Sequence, residues 1–245
     1  MSTAAAAVEQ LADLIREADS VVALTEIPDF RSPGTGLWAN VNPMEVAHID
    51  VFRRDPERFW LFYGARFQAL EHKRPNRGHE SLAELEQAGM LHAVITQNID
   101  QLHARAGTTE LVEVHGTIAH SSCLVCRSTY PLADVRERQD LRADGVPRCE
   151  CGQPLKPDVV LFGEYLPETA LARAEELAAG ADLLLCIGSS LEVYPVGQLP
   201  AVTLGAGGQI AILTQGATPL DSRATVRLGG DIVDELSAVC AALGV

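Results

Sequence analysis

Leu183-Leu184-Leu185-Cys186-Ile187 runs without a polar break straight into Gly188-Ser189-Ser190. A short apolar run bounded by a glycine-rich turn, with no polar alternation, reads as a strand buried on both faces. The arrangement recurs along the chain. Val21–Leu24 leads to Thr25, Ala93–Ile95 to Thr96-Gln97-Asn98, and Leu111–Val114 to His115-Gly116. Val159–Phe162 leads to Gly163-Glu164, and Ile210–Leu213 to Thr214-Gln215-Gly216. Helical periodicity lies between these runs. Val8, Leu11, Leu14 and Ile15 share a face, Leu166–Ala179 is rich in Ala, Glu and Leu, and Ile232, Leu236, Val239, Cys240 and Leu243 line a last helix. Ser81-Leu82-Ala83-Glu84 has the form of a capping box opening another helix. Strands alternating with helices predict an α/β fold, a parallel sheet covered by helices on both faces. Ligands of such sheets sit beyond the carboxyl ends of the strands, where the polar clusters fall.

Two segments interrupt the alternation and read as insertions that build a smaller module. The first, 31–78, holds Pro33, Gly34 and Gly36 and then a helix capped by Asp55 with Pro56 in its first turn, presenting Phe59, Phe62, Tyr63, Arg66 and Phe67. The second, 119–156, carries four cysteines and little periodic structure. The expected division is therefore 1–30, 79–118 and 157–245 for the sheet domain, 31–78 for a helical module and 119–156 for a metal-binding module.

Composition bounds the function. The chain of 245 residues is 47% hydrophobic and 21% charged, which excludes a mainly disordered state. No stretch approaches the roughly 18 uninterrupted apolar residues of a membrane span. Lys and Arg number 19 against 33 Asp and Glu, a net charge of −14 that argues against direct nucleic-acid binding. Met1–Arg16 lacks the basic and apolar regions of a secretory leader, so the cytoplasm is the expected address.

In a reducing compartment, cysteines point to metal before disulfides. Cys123-Leu-Val-Cys126 and Cys149-Glu-Cys151 form two close pairs, with Gly152 directly after the second. Two short knuckles supplying four thiolates suit tetrahedral Zn²⁺, and with no His or Asp among them the site is expected to be structural. The polar clusters are individually weaker. Thr96–His103 can be a capped turn or a set of amide and carboxylate groups that fix a ribose or an amide. His115 at a strand tip is either a structural histidine or a general base. Gly188-Ser189-Ser190 can be an ordinary turn or a cofactor contact.

In order along the chain stand Ile27-Pro28-Asp29-Phe30-Arg31-Ser32, Thr96–His103, His115-Gly116, the four cysteines, Pro157–Glu164, and Gly188–Pro195 with Leu199-Pro200. This series resembles the sirtuins, NAD⁺-dependent protein-lysine deacylases, from about Val21 to Val239. The resemblance implies a Rossmann-like large domain, a small zinc-ribbon and helical domain, and a cleft that NAD⁺ and an acylated protein lysine enter from opposite sides. It implies that His115 is the general base and that Asn98 and Asp100 belong with it to the catalytic set. Cofactor contacts would come from Asp29, Phe30, Arg31, Gln97, Asn98, Ile99, Asp100, Gly188, Ser189, Ser190, Thr214 and Ile232. Val160, Phe162, Gly163 and Val193 match the segments between which a substrate peptide lies as an added strand. In the family chemistry the acyl oxygen attacks the ribose as nicotinamide leaves, and the acyl group ends on ADP-ribose. Tyr63-Gly64-Ala65-Arg66 resembles the subgroup that also removes succinyl and malonyl groups, with Arg66 available to pair with an acyl carboxylate. The sequence leaves the oligomeric state open and is compatible with a monomer.

The chain departs from the family after its first strand. Sirtuins carry a segment of the form Gly-Ala-Gly-x-Ser-x-x-Ser-Gly there, whereas here Thr25-Glu26 runs directly into Ile27-Pro28-Asp29. Glycine amides of that loop would approach the NAD⁺ diphosphate. Two other readings therefore stay open beside the deacylase: a catalytically impaired module that binds acyl-lysine or ADP-ribose, and an ADP-ribosyltransferase.

Overall fold

The computed structural model describes residues 3–27 and 43–245. Asp29, Phe30 and Arg31, expected at the cofactor, lie outside the described residues. In chain order the elements are α1 (Thr3–Glu17), β1 (Val21–Thr25), α2 (Pro43–Val46), α3 (Ile49–Arg54), α4 (Pro56–Glu71), α5 (Arg77–Gln87), β2 (Ala93–Thr96), α6 (Leu102–Ala106), β3 (Leu111–Glu113) and β4 (Gly116–Cys123). There follow β5 (Thr129–Pro131), α7 (Leu132–Asp140), β6 (Leu155–Val159), α8 (Glu168–Ala179), β7 (Leu183–Ile187), α9 (Leu199–Ala206), β8 (Gln209–Leu213), β9 (Val226–Leu228) and α10 (Ile232–Leu243).

Six strands form one sheet in the order β3-β2-β1-β7-β8-β9, and every pairing in it is parallel. Successive side chains of a strand point to opposite faces, and the two cores divide accordingly. Val21, Ala23, Leu183, Leu185, Ile187, Ala211 and Leu213 meet Leu11 and Ile15 of α1, Leu82 and Leu85 of α5, and Leu236 and Val239 of α10. Val22, Leu24, Leu184, Cys186, Ile210 and Ile212 face Ala174 and Ala178 of α8 and Leu199 of α9. Burial on both faces is why the strands carry no polar alternation. The two edge strands differ: β3 is half-buried throughout, and β9 sets half-buried Arg227 between buried Val226 and Leu228.

A second, antiparallel sheet has the order β5-β4-β6. Its core joins Phe59, Trp60, Tyr63 and Phe67 of α4 to Ile118, Tyr130, Val135, Leu155 and Val159. Trp60 Nε1–H donates to the Leu155 carbonyl at 3.0 Å, so α4 is tied to β6 by a polar contact inside an apolar interface. The expected cap of α4 is present: the Asp55 carboxylate accepts from Arg58 N–H at 3.0 Å, with Pro56 in the first turn.

Several local expectations are corrected. Val159–Phe162 is not a strand of the parallel sheet; the strand is Leu155–Val159, it is antiparallel, and Phe162 makes only an isolated bridge to His48. Ser81 does not open α5. That helix starts four residues earlier, with Asn76 as its cap and His79 closing the capping box, while Ser81 is buried in its interior. Asn caps as well as Ser, so the Ser-x-x-Glu spacing is a coincidence within the helix, with Ser81 on its buried face. The segment 119–156 holds β5, α7 and most of β4, which the sequence pattern did not reveal, and β9 was likewise unseen.

Candidate active site

Register places the carboxyl ends of the parallel strands on one line: Thr25 pairs with Thr96 and Ile187, Thr96 with Glu113, Ile187 with Leu213, and Leu213 with Leu228. The strand order reverses between β1 and β7, which opens a crevice at their ends. Gly188 follows β7 there with φ +72°, and a Cβ on it would collide with the Glu26 carbonyl oxygen. Glycine is required because the chain leaving β7 passes directly against the chain leaving β1. The same hypothetical Cβ would lie 3.3 Å from Ile232 Cδ1, which puts the start of α10 beside Gly188.

Gln97 is the junction of this edge. Its side-chain amide donates to Ser189 Oγ at 3.0 Å and to a Glu26 carboxylate oxygen at 3.4 Å. Its backbone carbonyl accepts from His115 Nδ1 at 3.1 Å. A carbonyl can only accept, so the His115 hydrogen sits on Nδ1 and the lone pair on Nε2. Burial lowers the His115 pKa, an effect that the Gln97 contact partly opposes, so the ring stays neutral under ordinary conditions.

Asn98 clamps the chain after β1. Its Oδ1 accepts from Ile27 N–H at 2.9 Å and its Nδ2 donates to the Ile27 carbonyl at 3.0 Å, the two bonds of a backbone rung supplied by a side chain. Asp100 Oδ1 accepts from Leu102 N–H at 2.9 Å and so fixes the start of α6, and burial raises its pKa. The Ile99 carbonyl accepts from Ile118 N–H at 2.9 Å, joining this loop to β4. Glu113, at the end of β3, is pushed up to about 7 by burial, with a Thr117 hydrogen bond opposing and Asp100 adding to the shift. Ser189 Oγ also accepts from Leu191 N–H at 3.2 Å, and Ser190 beside it is half-buried. Thr214 continues β8 through its N–H to the Leu228 carbonyl at 3.2 Å.

The segment after β6 is drawn to the same place. Val160 N–H donates to the His115 carbonyl at 2.8 Å, so this segment is joined to the residue that carries the imidazole. Phe162, still 47% exposed, donates its N–H to the Ala47 carbonyl at 2.9 Å and accepts from Ile49 N–H at 3.0 Å. Gly163 has φ +84°, and a Cβ there would lie 2.7 Å from the His48 ring. Val193 stands in the loop after β7, its carbonyl accepting from Gly197 N–H at 2.7 Å. On α4, Tyr63 is buried and stacked on Phe59 at 4.6 Å. Burial raises its hydroxyl pKa strongly, an effect that the Arg66 guanidinium opposes. Arg66 lies 3.5 Å over the Phe62 ring and donates to the Phe62 carbonyl at 2.8 Å.

The four expected thiols converge. Cys123 and Cys151 sulfurs are 3.5 Å apart, those of Cys126 and Cys149 are 3.3 Å apart, and all four lie within 4.8 Å of one another. Cys126 N–H points at Cys123 Sγ at 3.5 Å, the knuckle geometry in which backbone amides support thiolate charge. The donor set and its compactness fit a tetrahedral Zn²⁺ site. Other parts of the site escaped the sequence pattern. His48 touches it only through Phe162 and Gly163, far away in sequence; the Lys156–Glu164 pair, which braces the neighbouring turn without lining the site, had as its one signal a lysine within a buried strand.

Residues 20–195 match the protein-family model described as the Sir2 family. The chain belongs to the Sir2 family. A relative from Sulfolobus acidocaldarius, called NAD-dependent protein deacetylase, is 46% identical over 198 residues, covering 81% of this chain and 77% of the relative. One of the same name from Thermotoga maritima is 38% identical over 235 residues, covering 92% and 94%. A Thermococcus sibiricus relative called NAD-dependent protein deacylase is 42% identical over 205 residues, covering 82% and 80%. A solved Sir2 structure with deacetylated p53 peptide and 3'-O-acetyl ADP ribose superimposes with a TM-score of 0.90 at 36% identity, covering 97% of this chain and 99% of that one. A Sir2 bound to acetylated peptide gives 0.89 at 35% identity, covering 97% and 98%. The sirtuin resemblance and the α/β architecture with a four-cysteine site are thereby borne out.

Proposed function

We propose that this Sir2 family chain is an NAD⁺-dependent protein-lysine deacylase that transfers the acyl group to ADP-ribose with release of nicotinamide. One observation carries the reading: His115, neutral and with Nε2 left to accept a proton, shares the sheet edge with Gln97, Ser189 and the Val160 segment. Relatives named as deacetylases and deacylases over most of the chain support it.

NAD⁺ supplies an electrophilic ribose carbon and a departing nicotinamide. The crevice between β1 and β7 fits it, because its margin presents the polar groups of Gln97, Ser189, Ser190 and Thr214 while Gly188 keeps the backbones close. Glu26 sits among these groups and places a carboxylate where the family has a glycine-rich loop, which weakens the hold on a diphosphate. With NAD⁺ bound, His115 Nε2 would be the atom to accept the proton of a ribose hydroxyl, with Gln97 keeping the ring in the required tautomer and Asn98 holding the chain at Ile27. Phe162, still 47% exposed, would be covered by a bound acyl-lysine peptide, which would shut water away from the fixed dipoles around the reacting groups.

The Tyr63 and Arg66 pair supports a wider acyl range that includes succinyl and malonyl groups. Arg66 rests on Phe62, a contact that an acyl carboxylate would replace with a bidentate pair. The reading extends to a cytoplasmic protein without a direct nucleic-acid partner, supported on the last point by the net charge of −14. Among the described residues no helix is long and apolar enough to cross a membrane.

Nicotinamide release from NAD⁺ with and without acyl-lysine peptide tests the function. Acyl-dependent release with a deacylated product is expected. Release accompanied by ADP-ribosylated protein identifies a transferase, and peptide binding without release identifies a binding module.

A further inference from the structure

Lys156 is 7% exposed although it carries an ammonium. Its Nζ donates to the Pro157 carbonyl at 3.1 Å and the Val159 carbonyl at 2.8 Å, and lies 2.9 Å from Glu164 Oε2. Three donors meet three acceptors, so the ammonium is fully satisfied where it is. The same Glu164 oxygen accepts from Leu161 N–H at 3.0 Å, and Glu164 N–H donates back to the Leu161 carbonyl at 3.0 Å. Carboxylate and ammonium together close the turn 161–164 and fasten it to β6. The other edge of the turn is held separately, by Phe162 bonded to Ala47 and Ile49 and by Gly163 against His48. The Glu164 side chain is 25% exposed, so the pair is a weak source of net stability: water screens its attraction, and desolvation of Lys156 offsets much of the rest. Its effect here is to impose one conformation on a short stretch of backbone.

We infer that Lys156 is a positioning residue for the acyl-lysine peptide, acting through Glu164 to hold residues 160–163, which lead from β6 into the turn at Gly163, in the one backbone shape against which the peptide pairs. The inference rests on the proposed peptide path along these residues. A strand can be added only to an edge whose amides and carbonyls already point the right way, so a loosened turn reduces peptide affinity without disturbing the base at His115.

Two measurements separate the inference from its basis. Hydrogen exchange of the wild-type protein is followed with and without an acetyl-lysine peptide. Slowed exchange across 160–164 supports the path; unchanged exchange there overturns the path and with it the role of Lys156. With the path standing, Lys156→Met keeps the aliphatic stem and removes the donors. It is expected to raise the peptide KM about tenfold or more, the scale of losing one partner of a buried charged pair, while kcat and the KM for NAD⁺ stay within about twofold. Lys156→Arg restores the peptide KM. An unchanged peptide KM, or kcat and both KM values failing together, overturns the positioning role alone. Should Lys156→Met not fold by circular dichroism, Glu164→Gln, which keeps the acceptor for Leu161 but not the charge, carries the same comparison.

Discussion

The hydrogen on His115 Nδ1 is committed to a carbonyl, and that commitment decides what the other nitrogen can do. His115→Ala is expected to lower deacylation by about 10²- to 10⁴-fold, the usual share of a positioned base, with the melting temperature unchanged. Because burial lowers this pKa, the acid limb of kcat/KM in the wild type should fall below the ordinary histidine value near ~6.5. Two further histidines act on stability instead. His79 and His103 face each other with ring centres 4.7 Å apart, and His103 Nε2 lies 2.9 Å from Thr25 Oγ1 at the end of β1. Burial depresses them to about 4 and about 3. The unfolded chain takes up these protons near ~6.5 and the folded one only well below, so stability is intact above that pH and declines as the pH falls towards the folded values. Thermal melts at successive pH values should show this decline, and His79→Leu should flatten it; an equally steep decline in the variant removes the pair as its source. His115 could be recognised in the sequence because it directly follows an apolar run. The contact of Thr25 with His103 could not, since it joins residues 78 positions apart.

At the level of elements, α4 shows how one helix serves two purposes. Phe59, Tyr63 and Phe67 recur at i, i+4 and i+8 and anchor the helix in the small core, while Phe62 and Arg66 fall on the adjoining stripe. Arg66→Met is expected to reduce desuccinylation relative to deacetylation by about tenfold or more, the order of losing a charge-assisted bond. An unchanged ratio in competition assays with the two acyl peptides sinks the acidic pocket. The zinc knuckles depend on the metal more than on packing, since β5 has three residues and much of the cysteine loop is exposed. Cys123→Ser should lose bound zinc by mass spectrometry and melt the three-stranded sheet, with the parallel sheet still seen by circular dichroism. These elements also show where sequence patterns fail. A strand buried on both faces announces itself as an apolar run, whereas β4 is largely polar and partly exposed and β5 has only three residues, so both resemble loops. The reading of Val159–Phe162 erred because only Val159 belongs to a strand: Leu161 is buried in the small core from the turn that follows β6, and Phe162 is left exposed at its edge.

For the molecule as a whole, the central sheet was legible because each of its inner strands must satisfy both faces at once, and its ligand edge followed from the polar residues at the strand ends. Their mutual contacts were not legible, because register and crossover decide that Gln97 meets Ser189 and Glu26. The acidic excess also acts at this scale. With a net charge of −14, association with an acyl peptide flanked by lysines should be steered, and its kcat/KM should fall more steeply with added salt than that of an uncharged peptide. Equal slopes for the two peptides remove the steering. The clamp that Asn98 places on Ile27 bears on this protein's evolvability. Upstream of that clamp, Glu26 N–H is fastened to the Ile187 carbonyl at 2.9 Å, so the backbone is tethered on either side of a single peptide link. New chain spliced in at that link has both ends already anchored beside the crevice, and closing a longer loop there adds little entropy cost. A glycine-rich graft would thus be delivered to the mouth of the crevice by the existing scaffold.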